Sequence, residues 1–372
     1  MIPVWEPVLD GNEERYVLDC LETNWISSLG DYIRRFEELM AGYCGVPHGV
    51  ACSSCTTALH MTLVALGIGP GDEVIVPDFT LIVSANTVVQ AGARPVLVDA
   101  DAKTWCIDPA RIEEKITPRT RAILAVHMYG HPCDMDAIGK IAARHGLRVI
   151  EDCAEAHGAE VGGRRVGSFG DAACFSFYGN KILTTGEGGM VLCRDGELAA
   201  RLRLLRDQGF ENPRFVHRVM GFNYRLTNVQ AAIGLAQAEK LTEKVERKRV
   251  IARWYAEALA GCPDLELPTE AQGAKNVYWM YGVKLGDRYR QGRDAVMGEL
   301  KRKGVDSRAF FCPMHMQPVF RDSAGDARLP DTHGEFPVSE DLWRRGLYLP
   351  SGLGVTREQV GEVAARLLEC RP

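Results

Sequence analysis

The chain has 372 residues, 46% hydrophobic and 25% charged, with a net charge of −5 and no low-complexity run, as expected of a globular protein with a large domain and a smaller one. Lysine and arginine are dispersed, which argues against a nucleic-acid binder, and no apolar stretch is long enough to span a bilayer. The segment Met1-Ile2-Pro3-Val4-Trp5-Glu6 lacks the charged-then-apolar layout of a secretion signal, so a cytoplasmic protein that binds neither nucleic acid nor membrane is expected.

Residues 12–45 read as two amphipathic helices separated by Trp25-Ile26-Ser27-Ser28-Leu29-Gly30. From about 49 to 195, short apolar runs alternate with helical patterns. The predicted strands are Gly49–Cys52, Glu73–Val76, Pro95–Val98, Ala122–Val126, Arg148–Ile150, Ala173–Phe177 and Met190–Cys193, and the helices include Thr57–Leu66, Leu81–Ala91 and Met135–His145. Such alternation predicts an α/β fold with a mostly parallel sheet flanked by helices, whose ligands bind at the carboxyl ends of the strands. A helical pattern then runs from Thr227 to Leu259, Gly261-Cys262-Pro263 breaks it, and a smaller α/β segment begins near Tyr278. The boundary falls near 240–265, giving a large domain 1–250 and a small C-terminal domain 251–372.

The chemistry concentrates at the predicted strand ends. Lys181 follows the apolar strand in Phe175-Ser176-Phe177-Tyr178-Gly179-Asn180-Lys181 and precedes Thr184-Thr185-Gly186-Glu187-Gly188-Gly189. A lysine in a loop is ordinarily a solvated surface residue. Glu151-Asp152, however, ends another apolar strand upstream, and a lysine with a strand-end carboxylate is the pairing that a Schiff-base cofactor with a pyridinium nitrogen requires. Asp152 reads equally as a helix N-cap. Glu155 is three residues on, within reach of a ring hydroxyl. Ser53-Ser54-Cys55-Thr56-Thr57 joins a strand to a helix and reads as an anion site at a helix start or as ordinary capping; Ser176 is placed to add a hydroxyl to the same anion. Asn223 and Arg225, in Gly221-Phe222-Asn223-Tyr224-Arg225-Leu226-Thr227-Asn228, read as structural caps or as donors to phosphate and an anionic substrate. Twelve scattered cysteines suit a reduced protein; Cys52-Ser53-Ser54-Cys55 has thiol-redox spacing, but no matching Cys/His pair suggests zinc, and no metal is expected.

Taken together, the run from Glu151 to Cys193, with Ile2-Pro3-Val4, Trp25–Ser28, Gly69–Pro77, Gly221–Asn228 and Leu349-Pro350, resembles the DegT/DnrJ/EryC1/StrS sugar aminotransferases. The resemblance covers essentially the whole chain. It implies the aspartate-aminotransferase fold (fold type I), with pyridoxal 5'-phosphate as cofactor. Lys181 would carry the Schiff base and shuttle protons, Asp152 would pair with the pyridinium nitrogen, and Glu155 would lie near the ring hydroxyl. Ser176, Cys55 and Thr56 would bind the cofactor phosphate, and Asn223 would reach the phosphate of a neighbouring subunit, so that a homodimer shares its active sites.

Two positions depart from the family pattern. Cys55 stands where relatives usually have Gly, and Leu81 lies on the ring face where they often have an aromatic residue. Arg225, His315 and Tyr129 are candidates for substrate contacts, each equally open to a structural role. L-Glutamate is the implied amino donor and a nucleotide-linked 4-keto-6-deoxy sugar the acceptor, for polysaccharide or O-antigen biosynthesis. Val126–Met135, Phe177–Lys181 and Phe310–Pro318 resemble most the branch that converts a GDP-linked 4-keto-6-deoxymannose to GDP-perosamine. A dTDP- or UDP-linked sugar, a ketone at C3, a sugar dehydratase and a catalytically silent regulator are the alternatives. The dehydratases carry histidine in place of the lysine, and Lys181 speaks against them.

Overall fold

The structure, a computed structural model, describes residues 1–213, 215–321 and 326–371. Strands β1 (His48–Cys52), β2 (Glu73–Pro77), β3 (Arg94–Val98), β4 (Thr120–Val126) and β5 (Arg148–Asp152) are followed by a short hairpin, β6 (Glu160–Val161) and β7 (Arg164–Arg165), and then by β8 (Ala172–Ser176) and β9 (Gly189–Cys193). The main sheet has seven strands in the order β1-β9-β8-β5-β4-β2-β3. Only β9 runs against its neighbours; the remaining pairings are parallel. The seven predicted strands are all present, with ends shifted by one or two residues.

Most of these strands are buried along nearly their whole length, as parallel strands covered on both faces must be. That explains why they read as continuous apolar runs. The reversal at β9 has a local cause: residues 177–188, between β8 and β9, contain no helix to carry the chain back for a parallel crossover. The loop therefore stays at the carboxyl edge of the sheet, and Lys181 lies on it.

Helices α1 (Glu13–Glu22), α2 (Asp31–Cys44), α3 (Cys55–Ala65), α4 (Val83–Gln90), α5 (Met135–His145) and α6 (Gly196–Arg206) accompany the sheet. The single helical pattern over 227–259 is two helices, α7 (Asn228–Glu239) and α8 (Leu241–Ala258). Lys240 leaves helical geometry between them (φ −108°, ψ 11°), and its ammonium binds the Asp10 carbonyl at 2.6 Å. A one-residue break hardly disturbs the spacing of apolar residues, so periodicity does not reveal it.

Strand β10 (Leu265–Glu266) opens a second sheet; β11 (Ala274–Lys275) instead joins the β6–β7 hairpin, and β12 (Tyr281–Leu285), β13 (Arg308–Ala309) and β14 (Gly346–Leu349) complete the second sheet in the order β10-β12-β14-β13. Its apolar cluster, separate from the main core, gathers Tyr255, Tyr281, Val283, Leu347 and Val363 with Ile2 from the opposite end of the chain. Among the described residues no helix is long and apolar enough to cross a membrane.

Gly189, the first residue of β9, passes so close to the β1–α3 turn that a Cβ there would lie 2.4 Å from the Ser54 carbonyl carbon and oxygen. Backbone cannot yield as a side-chain tip can. Gly189→Ala is expected to destabilise the fold by about 1–3 kcal/mol through overpacking. Denaturant melts check this, and an unchanged midpoint would refute the close approach.

Candidate active site

Strand register assembles the site. Cys52 of β1 and Ser176 of β8 both pair with Gly189, so the β1–α3 turn and the Ser176 hydroxyl lie two strands apart on the same edge. Asp152 ends β5 opposite Cys174 of β8 and Val126 of β4. All these positions are at carboxyl ends, where the alternation of strands and helices predicted a ligand.

Lys181 points into this edge. Its side chain is 8% exposed, and Nζ lies 3.8 Å from Glu155 Oε1 and 3.6 Å from the centroid of the Trp279 ring. Desolvation lowers its pKa, with the carboxylates of Glu155 and Asp152 pulling partly the other way. Glu155 Oε2 accepts the Tyr129 backbone N–H at 2.7 Å. Burial pushes the Glu155 carboxyl up to about 7, against the opposing pull of the lysine.

Asp152 is 3% exposed. It accepts the Ala154 N–H at 3.1 Å and the Ser84 hydroxyl at 3.4 Å, with the Cys55 thiol 4.0 Å away. Burial raises its pKa, opposed by the Ala154 bond and the Lys181 charge. Its neighbour Glu151 belongs to a different network. Glu151 accepts N–H groups from Gly167, Phe169 and Gly170, each at 2.8 Å, and meets His127 Nε2 at 3.2 Å. His127 Nδ1 accepts the Cys133 N–H at 3.0 Å, which leaves the ring proton on Nε2, facing Glu151. Desolvation opposes charge on Glu151, yet the bonds from His127, Gly170 and Gly167 outweigh it and hold its carboxyl below the ordinary value.

At the β1–α3 turn, Ser54 caps α3 in a reciprocal box with Thr57, so capping and an anion-ready helix start coexist there. Cys55 is buried at the first turn and Thr56 is exposed. Burial, then the Asp152 charge, raises the Cys55 thiol pKa well above its ordinary value, which is the opposite of an activated redox thiol. All twelve cysteines are unpaired. Leu81 is 44% exposed and opens the turn whose Ser84 bonds Asp152.

The remaining candidates are placed less directly. Asn223 is exposed, and the carbonyl of the next residue, Tyr224, accepts the Ser53 N–H at 2.9 Å, tying this segment to the turn. Arg225 is ion-paired with Asp207, which favours its structural reading. His315 binds Asp78 through Nδ1 at 2.7 Å and stacks on Phe336. Burial favours its neutral ring, but the Asp78 bond outweighs that and raises its pKa. For Tyr129 the packing favours the structural role over a sugar contact. Its ring is 3% exposed, packed among Phe310, Phe311, Trp279 and Tyr348, and its hydroxyl accepts the Phe311 N–H at 3.3 Å. The group it offers the site is its backbone N–H. Trp279 and Ser84 were not foreseen: Trp279 lies in a distant segment, and Ser84 sits in what reads as plain helix.

This donor set fits pyridoxal phosphate: a desolvated amine, a strand-end carboxylate flanked by hydroxyl and thiol, and a capped helix start beside Ser176. The chain matches the DegT/DnrJ/EryC1/StrS aminotransferase family over residues 7–368. It is 49% identical to the GDP-perosamine synthase of Caulobacter vibrioides over 98% of this chain and 97% of that one. It is 43% identical to the GDP-perosamine synthase of Escherichia coli O157:H7, covering 96% and 95% of the two chains. The crystal structure of Streptomyces venezuelae DesV in complex with a ketimine intermediate superposes with a TM-score of 0.89 at 38% identity, over 96% of this chain and 94% of that one. The chain belongs to the DegT/DnrJ/EryC1/StrS family and is a pyridoxal-phosphate-dependent aminotransferase of fold type I.

The depressed pKa of Glu151 makes a stability prediction. The unfolded chain binds this proton at a higher pH than the folded one. Stability from Glu151 is therefore complete above the ordinary carboxylate range and lost as pH falls through the depressed value. Glu151→Gln replaces one acceptor oxygen by an NH2 group that faces N–H donors, leaving them unpaired, and is expected to cost about 1–3 kcal/mol at neutral pH. It should also flatten the decline of stability toward acid. Urea melts over a pH series measure both, and an undiminished acid slope would refute the assignment.

Proposed function

We propose that this enzyme moves an amino group from L-glutamate to C4 of GDP-4-keto-6-deoxymannose, forming GDP-perosamine. The near full-length 49% identity to a GDP-perosamine synthase carries the choice of substrate. The buried cluster of Lys181, Asp152 and Glu155 supports the chemistry.

Bound pyridoxal phosphate supplies an electrophilic carbonyl for the migrating nitrogen and a ring that accepts electrons from the carbon beside it. Lys181 holds the cofactor and then acts as a base. Its Nζ takes the proton from the donor carbon, and later delivers one to the sugar carbon. A base must be neutral to do this, and desolvation lowers the lysine pKa toward that state. Asp152 holds a proton on the ring nitrogen, kept in place by Ser84 and Ala154. Ser176 and the turn at Cys55 and Thr56 orient the phosphate, with the positive end of α3 behind them. Leu81 would offer an apolar side chain to the ring face.

Asn223 belongs to the neighbouring subunit's site in this reading, which makes the enzyme a homodimer. Support comes from the segment just before it, where Val216 and Met220 are 52% and 94% exposed, an apolar surface that a second copy would cover. The division into domains 1–250 and 251–372 is part of the same proposal, supported by the separate apolar cluster around Tyr255 and Tyr281.

Lys181→Ala is expected to abolish turnover while the protein stays folded; multiple turnover in that variant would sink the assignment. In direct assays across GDP-, dTDP- and UDP-linked keto-sugars, kcat/KM should favour the GDP sugar by about tenfold or more, the equivalent of ~1.4 kcal/mol. Equal efficiency with another nucleotide would overturn the substrate but not the reaction class.

A further inference from the structure

Two buried hydroxyls stand in line behind Asp152. Ser84 is 0% exposed, and its Oγ lies 3.4 Å from Asp152 Oδ2. Thr80, four residues earlier and 1% exposed, places its Oγ1 3.2 Å from Ser84 Oγ. The turn that carries Thr80 is fixed by what precedes it. Asp78 accepts the His315 backbone N–H at 2.8 Å and meets His315 Nδ1 at 2.7 Å. Phe79 is buried against Tyr129 and Phe310.

The direction of this chain follows from counting protons. Each hydroxyl has one to give. As the partner of a ring nitrogen, Asp152 is ionised and only accepts, so the Ser84 proton is committed to it. Ser84 Oγ is then the acceptor in its contact with Thr80, and Thr80 is the donor. Both O–H dipoles point at the carboxylate, and buried hydrogen bonds in series polarise one another.

We propose that Thr80 is a positioning residue for the amino transfer: it donates through Ser84 to Asp152, and this relay keeps the carboxylate ionised so that the proton stays on the cofactor's ring nitrogen. The competing arrangement breaks the ring N–H bond and forms an O–H bond on Asp152, with no change of oxidation state. It leaves a neutral ring, which accepts electrons less readily. The inference rests on the reading of Asp152 as the partner of the ring nitrogen.

A relay is needed because burial works against an ionised Asp152. The Ala154 N–H on Oδ1 offsets part of that, and the Cys55 thiol, 4.0 Å away, is a weak donor. Lys181 helps only while its nitrogen is charged, and that charge is absent whenever the amine acts as a base. The two hydroxyls are neutral, fixed and shielded from water, so their contribution persists through both halves of the reaction.

The test uses full-length enzyme loaded with pyridoxal phosphate that carries an NMR-active nitrogen label in the ring. The chemical shift of that nitrogen reports where the proton sits. The half-reaction with L-glutamate, followed by the change in cofactor absorbance, gives a rate that does not depend on the sugar. Wild type should show a protonated ring nitrogen. Ser84→Ala should move the signal toward the unprotonated position and slow the half-reaction about tenfold, as for loss of a hydrogen bond to a charged group. Thr80→Val keeps the shape and removes the hydroxyl; it should shift the signal the same way and slow the reaction about threefold, while Thr80→Ser should retain wild-type values. Adding Thr80→Val to Ser84→Ala should change nothing further, because Thr80 acts only through Ser84. A Thr80→Val enzyme with the wild-type signal overturns the proposal even if it is slower, since a packing role alone would slow it without moving the proton. Additive effects in the double variant also overturn it. If Thr80→Val does not fold, Ser84→Ala decides, and a wild-type signal there overturns the relay. An unprotonated ring nitrogen in wild type would instead overturn the reading of Asp152.

Discussion

Desolvation at the carboxyl edge of the sheet is the constraint on which the rest of the site depends. A charge removed from water is tolerated only when paired or hydrogen-bonded, and this edge buries Glu151, Asp152 and Glu155 within a few residues of one another, with Lys181 brought in by the loop after β8. The β-strand separates them. Glu151 and Asp152 are consecutive on β5, so their side chains leave on opposite faces. One face gives Glu151 a dense set of donors and makes it structural. The other gives Asp152 fewer donors, and Lys181 shares that side. Adjacent residues of similar chemistry thus receive different tasks from the pleat alone.

The same constraint ties the small segment to the large one. Trp279 covers the lysine from a part of the chain nearly a hundred positions away, and its indole N–H donates to the Asn180 carbonyl at 2.8 Å, next to the lysine itself. Tyr129, Phe310 and Tyr348 fill the space behind with aromatic contacts. This side of the site is closed because Trp279, Phe310 and Tyr348, all from the last hundred residues of the chain, pack into the same core as Tyr129.

Much of this was legible in the sequence where the signal was local. Strands buried on both faces announce themselves as apolar runs, and Lys181, Asp152 and Ser176 stand at or just beyond the ends of such runs. Signals that depend on distant packing were not legible. Nothing near Trp279 marks it as a partner of Lys181, and Ser84 reads as an ordinary helical residue until its hydroxyl is seen against Asp152 at the end of β5. Tyr129 was visible as a polar aromatic next to a strand end, but only the packed structure shows its hydroxyl turned to Phe311 and its backbone turned to Glu155. Arg225 was similarly ambiguous until Asp207 was seen beside it. The break at Lys240 was hidden because interrupting a helix by one residue leaves its apolar spacing almost intact.

The antiparallel course of β9 has a wider consequence. Each of its five residues is registered against both β1 and β8, so the strand cannot slide without breaking two ladders at once. The loop holding the lysine is therefore clamped at both ends, and its length is a fixed dimension of the scaffold. An insertion or deletion between Ser176 and Gly189 would shift Lys181 relative to Asp152, whereas loops that arrive from elsewhere can change length without moving the lysine. A protein engineer seeking altered specificity would do well to leave that loop alone and vary the segments that close over it.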